Sequence, residues 1–397
     1  MNNIPSDILI HLLNSKNLSS ISLPTQSTEN RIFKYNRYEV VTKAPTSGSV
    51  RPNAVVYTPQ QIRIAYGINN ITVPGNQLGA GITVAVIIAY TYPNLQNDFN
   101  IYCTRFGLPL QTLNRVTMPG ATQNSGWALE ECLDVQQVHS VAPYASIMVV
   151  EAASASYTDI FAAINYATTH GANIISMSFG SSEFSSQLTL SNSFNNTSIA
   201  YVASSGDTAA VVEFPSSSPN VLSVGGTTLN LNTSGTRVSE TTWNSGGCGV
   251  SAYVTKPAFQ SGISTITAAR RTCCDLSLVA NPSTGVYTYY NGVWYSVGGT
   301  SVSAPLFSGM LAICNQLRVN AGKPKLTTVN GASNNILTYI YKQLYLPSLT
   351  GGAAYRNNFN DITSGSDGRY RSANGYDYPT GLGSPKLNVL ATSLLNA

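Results

Sequence analysis

A serine at the start of a helix, two carboxylates one helical turn apart and an aspartate after an apolar strand are the residues here best suited to chemistry. The serine is Ser301 in VGGTSVSAPLFSGM, where a Gly-Gly-Thr lead places it at the start of a helix running from about Ser303, with Pro305 in the first turn. A hydroxyl there is expected to be exposed, and the helix N-terminus favours negative charge nearby. Taken alone the same pattern suits an ordinary Ser N-cap. Glu130 and Asp134 in WALEECLDVQQV stand four residues apart, on one face of a helix. Like charges so close raise the proton affinity of one carboxylate, giving a shared-proton pair able to act as a base in acid. Trp127, Leu129, Leu133 and Val135 mark this helix as packed, whereas Glu131 reads as a solvated neighbour. Asp207 in YVASSGDTAA follows an apolar strand and a glycine, where α/β sheets place their sites. Kept protonated in a pocket, such a carboxyl can donate a hydrogen bond to an oxyanion; by itself it reads as a turn residue.

A serine nucleophile commonly takes its proton acceptor from histidine, and the chain holds three histidines. His11 lies in the N-terminal arm, His170 suits a helix C-terminus, and His139 in LDVQQVHSVAP has no His-Gly-Thr setting. The first strand offers Ile88 and Ala89 where a Ser-His-Asp enzyme of the subtilisin type presents its aspartate. A Ser-His-Asp triad is therefore not expected. A Gly-x-Ser-x-Gly elbow is absent, which leaves an esterase unsupported, and the glycines at Gly79 and Gly81 precede their strand, contrary to a dinucleotide site.

The elements that must position these residues alternate. ITVAVIIAY, NIISMSFG, IAYVASSGD and VLSVGGTTL read as strands, and TDIFAAINYATTHG as a helix closing on Gly171. That order predicts an α/β fold with a mostly parallel central sheet flanked by helices, in one domain over residues 57–397. Residues 1–56, rich in Asn, Ser and Pro, form an arm or short pro-segment. The 397 residues are enough for a large core. Only 10% are charged, against roughly 25% in an average domain, while 43% are hydrophobic, so charge-driven disorder is excluded. The net charge of +4 is spread thinly, and no basic cluster tracks a phosphate backbone, so nucleic acid is not an expected partner. Apolar runs fall far short of the ~20 residues that cross a bilayer, so no membrane association is expected either. Six cysteines show no zinc spacing, and adjacent Cys273 and Cys274 are badly placed to bridge each other, so buried thiols are the default reading.

In joint order and spacing, these motifs resemble the sedolisin family, the serine-carboxyl peptidases, over roughly residues 57–397. The resemblance rests on Gly299-Thr300-Ser301-Val302-Ser303-Ala304-Pro305, on Glu130-x-x-x-Asp134 and on Ser204-Ser205-Gly206-Asp207. The stretches FPSSSPNVLSVGGTTL, CDLSLVANPSTGVYTYYNGVW and GYDYPTGLGSP are also similar to the family. It implies a subtilisin-like fold, peptide or protein substrates, a monomer, and hydrolysis in acid. In that scheme Ser301 is the nucleophile, Glu130 the base, Asp134 its support, and Asp207 with the Ser301 amide the oxyanion hole. It further implies one Ca²⁺ in a C-terminal loop, held by Asp361 and Asp377 carboxylates and by carbonyls of Ile362, Ala373 and Gly375, with alanine at 373 where the family has glycine. Read without the family, Asp361 and Asp377 are plain loop acids.

Two departures shape the alternative. The 56 residues ahead of the domain are too few for the family's folded pro-domain, and MNNIPSDILIHLLNSKN lacks the basic start and unbroken apolar core of a secretory leader. The family implies secretion or an acidic compartment, and a component of a particle such as a virion is the other location considered. A silent structural or binding protein that keeps the fold and its calcium is the alternative function.

Overall fold

Short runs of aliphatic residues with no polar face end up at the centre of the molecule, because helices cover both of their sides. In the computed structural model, which describes residues 32–35, 55–346 and 352–396, those runs are β1 (Thr83–Ala89), β3 (Ser146–Ala152), β4 (Ile174–Met177) and β5 (Ala200–Ser204). Together with β2 (Asn114–Thr117), β6 (Val221–Leu231), β7 (Arg237–Thr242) and β8 (Leu276–Val279) they make an eight-stranded sheet. The order is β7-β6-β5-β4-β1-β3-β2, with β8 also pairing β6; all pairings are parallel except β6 with β7.

The helices follow the expected crossovers. Capped by the Ser156 side chain, α3 (Tyr157–Thr169) ends at His170, whose ring stacks on Tyr166 (3.8 Å) as Gly171 turns the chain with φ +90°. Capping of α2 (Ser125–Val141) falls to the Asn124 side chain, and everything from Trp127 to Val141 is buried. Its polar residues are satisfied by a hairpin strand, β9 (Thr284–Tyr290): the Gln136 amide exchanges two hydrogen bonds with the Tyr289 backbone, and Gln137 donates to the Tyr287 carbonyl. His139 is wholly buried against Phe99 of α1 (Leu95–Phe106), bonded to the Pro109 carbonyl, and burial holds its pKa down at about 4. Its partners are structural, as its sequence setting suggests.

The helix that carries the serine, α4 (Thr300–Asn320), crosses α2 at Gly309, where an added Cβ would stand 2.4 Å from Val141 Cγ2 and 2.9 Å from the Val138 carbonyl. This close approach fixes the two helices that bear Ser301 and Glu130 against each other. The six cysteines are buried free thiols. Among the described residues no helix is long and apolar enough to cross a membrane. Of residues 1–56, residues 32–35 and 55–56 are described; His11 and the rest of that segment lie outside the described residues.

Candidate active site

Four segments distant in sequence meet at the carboxyl ends of β4 and β5. α4 starts at Thr300, three residues earlier than the sequence suggests, so Ser301 occupies its second position and Pro305 its second turn. A proline there lacks the N–H that would reach the carbonyl four residues back, so the Ser301 carbonyl is left free of its helical donor. The Ser178 hydroxyl lies 3.5 Å from it. Ser301 is also not exposed, as its sequence setting predicts, but wholly buried. Its hydroxyl faces the Ser178 carbonyl at 3.5 Å.

Glu130 and Asp134 lie on the face of α2 turned toward Ser301, and both are fully buried. Burial pushes the Glu130 carboxyl well above the usual carboxylate range; Asp134 and Asp207 push further, while the nearby Ser301 hydroxyl opposes them. Both Glu130 oxygens lack a hydrogen-bond partner, because the Ser301 hydroxyl is turned to Ser178. Asp134 is likewise raised by burial; Ser178 Oγ donates to its Oδ1 at 2.6 Å and Oδ2 is unpartnered. Two carboxyls buried side by side both have their proton affinity raised, which favours one proton shared between them, and the member that is charged can accept another.

Asp207 follows β5, and its carboxyl is buried although the residue surfaces in part. Its Oδ1 accepts from the Thr300 amide and the Thr300 hydroxyl, both at 2.8 Å. That hydroxyl accepts in turn from the Gly206 amide at 3.1 Å. Oδ2 has no partner, and burial lifts the carboxyl to about 7 against the Thr300 bonds. A protonated Oδ2 and the Ser301 amide, which at the second helical position has no intrahelical acceptor, are the two donors available to an oxyanion.

Sequence reasoning missed the roles of Ser178, which contacts both Asp134 and Ser301, and of Thr300, which holds Asp207 next to Ser301. It also misread Glu131, which is 1% exposed and not solvated. Burial and the neighbouring Glu151 raise Glu131 well above the usual range. Burial alone would raise Glu151 too, but hydrogen bonds from Glu131, Thr117 and Arg115 and the Arg115 charge hold it below. The result is a neutral carboxyl beside a charged one paired with Arg115, at the end of β3 near α2. The signal was Arg115 and Glu151, two charges in a chain that has few.

In the C-terminal loop, Asp361 and Asp377 stand close enough for Asp361 to raise its partner's proton affinity. Burial is the larger cause, and Asp377 is pushed up to about 7. The Gly375 amide and Tyr355 hydroxyl donate to Asp361, and the Ala373 amide and Thr380 donate to Asp377. Ala373 is not among the non-glycine residues with positive φ, so its side chain does not disturb the loop. Among the described residues no three His, Cys, Asp or Glu side chains cluster as a metal site.

With this geometry in place, comparison with known proteins is specific. Residues 69–348, more than half of the chain, match the model of the subtilase family. The chain belongs to that family, and within it is similar to sedolisin-type members. It is 35% identical to sedolisin of Pseudomonas sp. over 188 residues, 44% of this chain and 28% of that protein. To kumamolisin of Bacillus sp. it is 29% identical over 382 residues, 85% of this chain and 63% of the relative, so it spans less than two thirds of each of these relatives. The solved structure of Pseudomonas sedolisin, a serine-carboxyl proteinase held with two molecules of pseudo-iodotyrostatin, superposes with a TM-score of 0.72 at 24% identity, covering 85% of this chain and 98% of that one. That likeness establishes the α/β, subtilisin-like fold.

Proposed function

We propose that the chain is an acid-acting serine-carboxyl peptidase. One observation carries the reading: Ser301, the Glu130–Asp134 pair and Asp207 share a single buried site in which the carboxyls are pushed toward their protonated forms. In this scheme Ser301 Oγ attacks the peptide carbonyl carbon while its proton passes to charged Glu130. The carbonyl π pair moves onto oxygen, which accepts from Asp207 Oδ2–H and the Ser301 N–H. Glu130 then returns the proton to the leaving amine as the C–N bond breaks, and water repeats the sequence on the acyl-serine. Asp134, held by Ser178, keeps the shared proton near Glu130. Both endopeptidase and tripeptidyl-peptidase cleavage follow from this chemistry; the closure of the cleft decides between them.

We further propose a single Ca²⁺ bound by Asp361 and Asp377 with the carbonyls of Ile362, Ala373 and Gly375. The support is that two carboxylates and backbone oxygens make a hard oxygen set, and that a cation would relieve the repulsion that lifts Asp377. Such an ion would brace the loop and takes no part in the reaction.

Hydrolysis of a mixed peptide library by the full chain, followed by mass from acid to neutral pH, tests the main reading. Cleavage confined to acid and abolished in Ser301→Ala is expected. Cleavage that persists in Ser301→Ala sinks the Ser301 mechanism, and no cleavage at any pH sinks the peptidase reading and leaves the silent binding protein.

A further inference from the structure

The described part of the arm lies along the strand that leads to the nucleophile. Lys34 and Tyr35 pair antiparallel with Gly180 and Phe179, and the Phe33 amide donates to the Ala155 carbonyl at 2.8 Å. The residue before Phe179 is Ser178, whose carbonyl the Ser301 hydroxyl faces, so the arm runs toward the reactive serine. An extended segment added to a sheet edge is bound through its backbone, and pockets for its side chains give the selectivity.

Phe33 and Lys34 each have defined surroundings. Phe33 is only 1% exposed, with its ring stacked on Tyr157 at 4.3 Å and 4.9 Å from Phe179, and with Phe161 and Phe214 completing the pocket. Beside Lys34 stands an acid that the catalytic scheme does not use. Glu213 is wedged between the arm-bearing strand and the Asp207 turn: a Cβ on Gly180 would lie 2.2 Å from its Oε2, and one on Gly206 2.9 Å from its Cδ. Its Oε2 is buried without a hydrogen-bond partner. Burial and Asp207 lift this carboxyl to about 7, and the Lys34 ammonium pulls it back. A buried acid with a spare oxygen, facing the backbone position next to the aromatic pocket, is suited to receive a cation there.

Building on the peptidase reading, we propose that the cleft selects peptides with an aromatic residue followed directly by a basic one, the ring entering the Tyr157–Phe161–Phe179–Phe214 pocket and the cation facing Glu213, and that Phe33–Lys34 is the chain's own occupant of both positions. The arm then competes with substrate at the high effective concentration of a tethered ligand.

Binding to the inactive full chain separates this from catalysis. Calorimetry on Ser301→Ala with Phe33→Ala and Lys34→Ala added should show a blocked Ala-Phe-Lys-Tyr peptide binding at least tenfold more tightly than Ala-Phe-Glu-Tyr or Ala-Ala-Lys-Tyr. With the arm intact the same peptide should bind at least tenfold more weakly. Glu213→Gln should remove the Lys-over-Glu preference and keep the aromatic one. Were that variant unfolded, Lys34→Glu alone, which leaves the body untouched, should still expose the site to peptide. Hydrogen exchange of the Phe179–Ser182 amides should speed up at least tenfold when Phe33 and Lys34 are both alanine. Equal binding of the three peptides overturns the selectivity, and unchanged exchange overturns the arm's occupancy. Selective binding with no cleavage by the Ser301 enzyme would instead remove the peptidase reading and leave this proposal standing.

Discussion

Thr300 holds Asp207 by a single oxygen: its amide and its hydroxyl both donate to Oδ1 at 2.8 Å, which leaves the buried Oδ2 to carry the proton. Because both bonds favour the charged form, they oppose the burial that lifts this carboxyl to about 7. If protonated Asp207 is the oxyanion donor, activity falls as pH rises through about 7. Thr300→Val removes one donor to the charged form, so Asp207 should keep its proton longer. The alkaline limb of the pH profile of kcat is expected to move up by roughly one unit. Asp207→Ala should lower kcat by about 10²–10³-fold at every pH.

Stability should follow the same groups. The carboxyls of Glu130, Asp134, Asp207 and Glu213 have folded pKa values above their unfolded ones. The folded state therefore binds more protons than the unfolded chain above the ordinary carboxylate range. The stability this confers is complete below about pH 4 and is lost as pH rises toward 7, where Asp207 and Glu213 titrate. Thermal melting of Ser301→Ala, chosen to prevent self-digestion, should give a higher Tm at pH 4.5 than at pH 7.5. A second substitution, Asp207→Asn, should shrink that difference.

Ser178 contacts Asp134, so in the proposed scheme it is a positioning residue. Ser178→Ala removes the donor at 2.6 Å from Asp134 Oδ1, which raises the proton affinity of the pair. The acid limb of the kcat profile should shift to higher pH, and kcat should fall about tenfold with KM unchanged. Ser178→Thr, which retains the hydroxyl, should restore both.

The second carboxyl group behind α2 gives a contrast between two variants. Arg115→Met leaves Glu151 buried without its cation and should cost about 3 kcal/mol in urea unfolding at neutral pH. Glu131→Gln replaces a carboxyl already held neutral, so stability and kcat should both change little.

Calcium titration examines the C-terminal loop. Addition of Ca²⁺ at pH 7 should raise the Tm of the wild type, and a chelator should reverse it. Asp361→Asn and Asp377→Asn should each abolish the response while leaving the Ser301-dependent activity measurable at lower temperature. A Tm indifferent to Ca²⁺ would remove the metal from the scheme.

What the chain determined locally is clear in α2 and the central strands. Glu130 and Asp134 share a face because a helix repeats every 3.6 residues, which their spacing alone dictates. The largely apolar runs of β1, β4 and β5 are short and have no polar face, as strands covered on both sides require, and they predict a parallel sheet. Other features depended on contacts between segments far apart in sequence, which no local period encodes. Ser178 and Asp134 are 44 positions apart, and Thr300 and Asp207 93; the sheet order brings them together. Depth was hidden for the same reason. Ser301 and Glu131 sit in stretches that look exposed, yet the crossing of α4 over α2 at Gly309 and the packing of β3 remove both from water. The arm's seat on Phe179 and Gly180 is likewise a property of the assembled edge, since Phe33 meets its pocket only after residues from three separate segments have converged to build it.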